Sequence, residues 1–267
     1  ESSALSKELL SRGHERATLQ EVPDVCVVNT CSVTDAADHK DRQTINQLHR
    51  KFPNAIIIVT GCYAQLQPEQ IAQIPGVDYV LGQNEKYDIP ALVEGLDAEV
   101  KKRAEQQAEI SVCAIRDVDE FHGVHSGDDR TRCFIKVQDG CNYFCSYCTI
   151  PYARGKSRNP KIEEVVKDAQ EALRQGAKEL IITGVNIGDF GRSTGESFIE
   201  LLRALDELGD EAIRREARGM DYRVRISSCE PNLLTDEIIE FVAQSKHFAP
   251  HFHIPLQSGS NEVLKIM

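Results

Sequence analysis

The chain has 267 residues, 41% of them hydrophobic and 27% charged, with a formal net charge of −11 at pH 7. That length exceeds one average domain, and the composition is that of a folded soluble protein, which excludes wholesale disorder. No run approaches the ~18–20 apolar residues that a bilayer span requires, and Glu1 is followed by neither the basic start nor the apolar core of a secretory leader. A cytoplasmic location without a membrane partner is the expectation. The acidic balance does not advertise nucleic-acid binding.

The text opens and closes inside helical patterns, at Glu1 and Met267, which predicts a chain truncated at both ends. The pattern 4–12 is helical and stops at Gly13. VCVVNT (25–30) reads as a buried strand, followed by a polar helix over 36–51 that ends before Pro53. AIIIVTG (55–61) is a second strand, a short helix opens at Pro68, DYVLG (78–82) is a third strand, and IPALVEGL (89–96) a helix. Short apolar strands alternating with helices predict a parallel sheet covered on both faces. We place an α/β domain over 1–96 and a linker over 97–130, where a charged helical stretch gives way to the irregular DEFHGVHSGDDR.

A second alternation fills 131–267. Strands are predicted over 132–140, 179–185, 222–228 and 251–257, and helices over 161–176, 198–208 and 233–244, with a further helix starting at Asn261. Four β/α units in order imply a (β/α) barrel or part of one, whose functional groups should lie at the carboxyl ends of the strands.

Nine cysteines are too many for an ordinary cytosolic chain, and three of them crowd into CNYFCSYC as Cys141, Cys145 and Cys148. Three thiolates on one short loop can hold three irons of a 4Fe–4S cubane and leave the fourth without a protein ligand. The open iron can chelate the amino and carboxylate groups of S-adenosylmethionine. An electron from the cluster then cleaves the sulfonium and releases a 5′-deoxyadenosyl radical. Ferredoxin clusters take four cysteines at other spacings, and zinc sites pair two Cys-x2-4-Cys elements. Tyr147, between the second and third cysteines, sets an aromatic where it can pack on the adenine. From the residues alone, Cys31 after VVNT and Cys62 after VTG are equally two buried thiols or two ligands at adjacent strand ends.

The ordered segments VVNTCSVTDAAD (27–38), VTGCYAQ (59–65), KVQDGCNYFCSYCTIPYARGKSR (136–158), ITGVNIGDFG (182–191), RISSCEP (225–231) and HIPLQSGS (253–260) together resemble the radical S-adenosylmethionine methylthiotransferases. Their wording is most similar to the branch acting on threonylcarbamoyladenosine beside the anticodon of transfer RNA. The resemblance covers nearly the whole chain. It implies an amino-terminal methylthiotransferase domain ahead of an incomplete radical S-adenosylmethionine barrel. It also implies two 4Fe–4S clusters, one on Cys141, Cys145 and Cys148 and an auxiliary one with Cys31 and Cys62 among its ligands. The third auxiliary cysteine of the family should lie just before Glu1.

The resemblance also implies that Gly184 and Asn186 meet the methionyl amino group of the cofactor. Ser227 and Glu230 suit its ribose hydroxyls, Gln257 and Ser258 would face the same mouth, and Arg158 could hold the cofactor carboxylate or an RNA phosphate. Arg154 and Lys156 complete that basic segment; Arg214, Arg215, Arg218, Arg223 and Arg225 form a second basic group, and His251 and His253 alternate along one strand. Cys26, Cys113, Cys133 and Cys229 match no ligand position.

The implied reaction converts N6-threonylcarbamoyladenosine to its 2-methylthio derivative. The implied partners are the tRNA anticodon loop and a reductant such as flavodoxin or ferredoxin. A small carboxyl-terminal RNA-binding domain beyond Met267 would offset the acidic balance. Alternatives are the same chemistry on isopentenyladenosine or on a ribosomal-protein aspartate and, from another class, a non-catalytic iron–sulfur carrier or RNA-binding scaffold.

Overall fold

A computed structural model describes residues 1–18, 20–96, 107–125, 131–209 and 222–267. Of the expected helical stretch 98–109, residues 98–106 lie outside them, as do the basic residues Arg214, Arg215 and Arg218; residues 107–109 are described and are not helical. The chain divides into two compact units: one holds Ser2–Val118 with Cys148–Gly155, the other Glu1, Asp119–Tyr147 and Lys156–Met267.

The first unit is built on strands β1 (Val25–Thr30), β2 (Ile56–Gly61), β3 (Tyr79–Leu81) and β4 (Glu109–Ser111). They run parallel in the order β1-β2-β3-β4. β-Branched residues alternate toward opposite faces of this sheet, and each face is covered. Ile57, Val59 and Val80 pack with Ile45 of α2 (Asp35–Lys51), Tyr63 and Ala64 of α3 (Cys62–Leu66) and Ile71 of α4 (Pro68–Ala72). Ile58, Tyr79 and Leu81 pack with Leu5 of α1 (Ser2–Ser11) and Ile89 of α5 (Ile89–Gly95). α2 starts where Thr34 Oγ1 accepts from the Ala37 amide at 3.2 Å.

β4 departs from the sequence reading, which assigns its residues to a linker. Its residues are exposed along their whole length, so no apolar alternation marks them as a strand. The pairing is carried by backbone bonds to β3.

The second unit holds the parallel strands β6 (Arg132–Lys136), β7 (Glu179–Thr183) and β8 (Arg223–Ile226), with β5 (Val124–His125) antiparallel at one edge. Cys133, Ile135, Leu180, Ile182, Val224 and Ile226 face α7 (Ile162–Arg174), α8 (Phe198–Asp206) and α9 (Asp236–Gln244) and are buried with them in one core. α6 (Ile150–Arg154) belongs to the first unit. The expected fourth strand, 251–257, does not form. Within it only His253 makes an isolated bridge, to Ser228, and a second bridge, Val224 to Phe248, lies just ahead of it. Pro250 and Pro255 remove ladder donors on either side of His253, and Gln257 takes φ 62°. The chain ends in α10 (Asn261–Ile266), capped by Ser260. Among the described residues no helix is long and apolar enough to cross a membrane.

Candidate functional site

In the first unit, two candidate ligands follow residues that are partners across the sheet. Thr30 of β1 is paired with Gly61 of β2, and Cys31 and Cys62 come next. Gly61 is required there: its φ is 103°, and an added Cβ would sit 2.2 Å from the Thr30 carbonyl oxygen. Thr30 Oγ1 donates to the Thr60 carbonyl at 2.6 Å and accepts from the Ala64 amide at 3.3 Å, which fixes the turn from β2 into α3. Cys62 is buried and opens that helix, whereas Cys31 is exposed.

The Cys31 amide donates to Asp41 on α2 at 2.8 Å. Burial pushes the Asp41 carboxyl above its ordinary value, and this hydrogen bond partly opposes the shift. Cys62 Sγ accepts from Gln83 Nε2 at 3.3 Å, and Gln83 Oε1 in turn accepts from Lys86 Nζ at 2.7 Å. In the same unit Thr149, the residue after Cys148, donates through Oγ1 to the carbonyl of Ser32, the residue after Cys31, at 3.2 Å.

In the second unit, the cysteine loop leaves the carboxyl end of β6 and is tied to the end of β7 by one side chain that the sequence reading passed over. Gln138 is 1% exposed. Its Oε1 accepts from the amides of Val185 and Asn186 at 2.9 and 2.8 Å. Its Nε2 donates to the carbonyls of Asp139 and Gly140 at 3.1 and 2.7 Å and to Ser157 Oγ at 3.0 Å. Gly184 belongs to this arrangement, since a Cβ there would approach the Gln138 carbonyl oxygen and Oε1 to 2.8 Å. A glutamine at a strand end reads as an ordinary exposed polar residue. Only its place directly before Asp139, Gly140 and Cys141 hints at more.

Four predicted site residues form one chain of hydrogen bonds. The Tyr147 hydroxyl donates to Gln257 Oε1 at 2.5 Å, Gln257 Nε2 donates to Glu230 Oε1 at 3.1 Å, and the Glu230 amide donates to Asn186 Oδ1 at 3.4 Å. Tyr147 is itself 59% exposed. Cys141, Cys145 and Cys148 are each half-buried; the division into units falls between Tyr147 and Cys148. Phe144, between the first two cysteines, takes φ 51°, an uncommon conformation for a bulky residue.

Ser227 and Arg158 are held by contacts that the sequence reading did not foresee. Ser227 donates its amide to the Ile182 carbonyl, as a continuation of the sheet ladder. It is the next residue, Ser228, whose hydroxyl lies 2.7 Å from His253 Nδ1. Arg158 is buried, and its guanidinium donates to Asp139 at 3.2 Å and to the carbonyls of Glu120 and Lys156 at 2.9 and 3.2 Å. A desolvated guanidinium with these internal acceptors braces the loop rather than reaching outward for a carboxylate or phosphate. The Ser-Arg pair in the sequence carried no sign of this, because its acidic partner stands nineteen residues earlier.

The cysteines without a ligand assignment behave as packed thiols. Burial, with Glu230 adding to it, pushes Cys229 up to about 11. Burial and the neighbouring Glu85 do the same for Cys113, also to about 11, and burial raises Cys26. Such groups stay protonated at neutral pH and are poor ligands.

Among the described residues, no three His, Cys, Asp or Glu side chains converge on a point suited to one metal ion. A cubane asks for a different geometry, because each thiolate takes its own iron. The donor set fits such a cluster with a nucleotide beside it. The three thiols lie on one loop, and Asn186 Nδ2 is buried without any hydrogen-bond partner, a donor that a polar ligand group can satisfy.

Residues 1–82 match the Uncharacterized protein family UPF0004, and residues 135–267 match the Radical SAM superfamily. A solved structure of the radical S-adenosylmethionine methyltransferase TsrM from Kitasatospora setae, with tryptophan substrate and aza-SAM bound, superposes with a TM-score of 0.59 at 16% identity. That match covers 98% of this chain and 57% of that one, a likeness of fold. A parallel α/β domain followed by β/α units that carry a three-cysteine loop at a strand end defines a radical S-adenosylmethionine protein.

Within that class, the chain is 40% identical over 270 residues to the threonylcarbamoyladenosine tRNA methylthiotransferase MtaB of Bacillus subtilis, covering all of this chain and 56% of that protein. It is 34% identical over 264 residues to the Aquifex aeolicus protein of the same name, covering 98% of this chain and 61% of that one. It is 32% identical over 272 residues to the tRNA-2-methylthio-N(6)-dimethylallyladenosine synthase of Fusobacterium nucleatum, covering all of this chain and 59% of that one. The chain belongs to the radical S-adenosylmethionine methylthiotransferase family, a family of enzymes whose cofactors are S-adenosylmethionine and 4Fe–4S clusters. It spans somewhat more than half the length of these relatives.

Proposed function

We propose that the protein is a tRNA methylthiotransferase that converts N6-threonylcarbamoyladenosine beside the anticodon to its 2-methylthio derivative. The observation that carries this reading is the Cys141-Cys145-Cys148 loop at the end of β6. The names of the Bacillus subtilis and Aquifex aeolicus relatives support the choice of base.

When bound, S-adenosylmethionine and a cluster on these cysteines supply the reductive cleavage that opens carbon-2 of the base to sulfur insertion. The chain's own residues do the positioning. Tyr147, Gln257, Glu230 and Asn186, already joined by hydrogen bonds, present acceptors and donors to the ribose and methionyl groups of the nucleotide. Gln138 holds the loop before Cys141 against the turn at Val185 and Asn186, so the start of the cysteine loop and the turn that carries Asn186 are held together before binding. Cys31 and Cys62 serve the auxiliary cluster, which handles the methylated sulfur. A flavodoxin or ferredoxin supplies electrons, and the anticodon loop presents an unstacked base, whose recognition needs less positive charge than a duplex does.

Mass spectrometry of tRNA nucleosides from a strain lacking the gene tests the substrate. Loss of 2-methylthio-N6-threonylcarbamoyladenosine, restored by the full-length gene, is the expected result. Loss of the isopentenyl counterpart, or of a ribosomal-protein methylthioaspartate, would reassign it. Replacing Cys145 with Ala should abolish formation of 5′-deoxyadenosine from S-adenosylmethionine under reducing conditions, and retained cleavage would leave the loop without its proposed role.

A further inference from the structure

The first unit contains a buried cation that the reaction scheme above leaves without a task. Lys86 is 5% exposed and lies in the turn Glu85–Asp88 after β3. Its ammonium donates at 2.7 Å to Gln83 Oε1, and Gln83, 3% exposed, donates from Nε2 to Cys62 Sγ at 3.3 Å. Turning the Gln83 amide over would set Nε2 against the ammonium, which offers no acceptor, so its present orientation is fixed. Its backbone is held too, because the Gln83 amide donates to Gln65 Oε1 at 2.8 Å and Gln65 Nε2 donates to the Cys113 carbonyl at 3.0 Å.

From this geometry we propose that Gln83 and Lys86 are positioning residues of the auxiliary centre. The Gln83 amide donates to the Cys62 thiolate and the Lys86 ammonium polarises that amide, so that together they raise the reduction potential of the cluster held there. The inference rests on Cys62 being a ligand, as proposed above. Hydrogen bonds to ligand sulfur and nearby positive charge both stabilise the more electron-rich state of an iron–sulfur cluster. The pair therefore makes the centre easier to reduce without touching substrate.

The test uses full-length protein, reconstituted anaerobically, in which Cys141, Cys145 and Cys148 are all replaced by Ala so that only the auxiliary cluster remains. Iron and sulfide content and a dithionite titration followed by EPR are measured for this parent and for added Cys62→Ala, Gln83→Leu, Lys86→Met and Lys86→Arg. The expected result is loss of the cluster in Cys62→Ala. Gln83→Leu and Lys86→Met should keep full iron content but shift to lower potential by about a tenfold change in the oxidised-to-reduced ratio, ~59 mV for one electron. Lys86→Arg should stay near the parent value. Full cluster content in Cys62→Ala overturns the ligand assignment itself. Cluster loss in Cys62→Ala with unchanged potentials in Gln83→Leu and Lys86→Met overturns the tuning role and leaves the assignment standing. Should Gln83→Leu fail to hold iron, the two Lys86 variants decide, because a buried methionine in place of lysine removes charge with little loss of volume.

Discussion

Gln138 joins two loops through five hydrogen bonds made by one amide. Leucine fills its volume but leaves the Val185 and Asn186 amides without an acceptor in a buried place. Gln138→Leu should lower unfolding stability by about 3 kcal/mol, read in urea titrations. It should also weaken S-adenosylmethionine binding more than it lowers cluster content, measured by equilibrium dialysis against iron assay. A second residue-scale prediction concerns Glu179, which lies between Arg132 at 2.7 Å and Arg225 at 2.8 Å. Burial opposes its ionisation, but the hydrogen bond and charge of Arg225, joined by Arg132, outweigh it and lower its pKa from the ordinary 4.5. A depressed carboxyl contributes its stability above that ordinary value and loses it as pH falls through the lowered one. Glu179→Gln should therefore cost ~2 kcal/mol at pH 7, with the difference between variant and parent closing once the pH drops below that of the depressed carboxyl. A stability difference that persists unchanged into acid would contradict this account.

Among the elements, the strand-to-helix junction at Gly61 and Cys62 tolerates little change. Gly61→Ala must relieve a 2.2 Å approach to backbone at a φ of 103°, and strain of that kind against a carbonyl cannot be absorbed by a rotamer. We expect a loss of at least ~3 kcal/mol, seen as a fall in the midpoint of chemical unfolding, together with reduced iron at the auxiliary site. How much of this was legible beforehand follows from where the information lies. The apolar runs 25–30 and 55–61 declared themselves as buried parallel strands because both faces of each are covered. Thr34, Thr235 and Ser260 cap their helices, each accepting from the amide three residues on. The Cys-x3-Cys-x2-Cys spacing was visible because three cysteines sit within eight residues. The roles of Gln138, Arg158, Gln83 and Lys86 were not visible, because each depends on partners brought close only by folding. The strand expected over 251–257 failed for a local reason: Pro250 just before it and Pro255 within it weigh more than its alternating apolar residues.

For the whole molecule, two sheets place their chemistry alike, with Cys31 and Cys62 after β1 and β2 and the three-cysteine loop after β6. Open α/β sheets put ligands beyond the carboxyl ends of their strands because loops there are free to vary while the sheet stays fixed.

β4 contributes three exposed residues, Glu109, Ile110 and Ser111, to the outer side of β3. Inside them lie Tyr79, Val80 and Leu81, all buried. A chain cut just ahead of residue 107 would uncover a short apolar strand whose amides and carbonyls are ready to recruit a strand from another molecule. Such a fragment should form concentration-dependent aggregates in light scattering, while one extended through Val118 should not. The unassuming strand at the edge of the first unit thus acts as a hem that keeps the fabric of the sheet from being stitched to its neighbour.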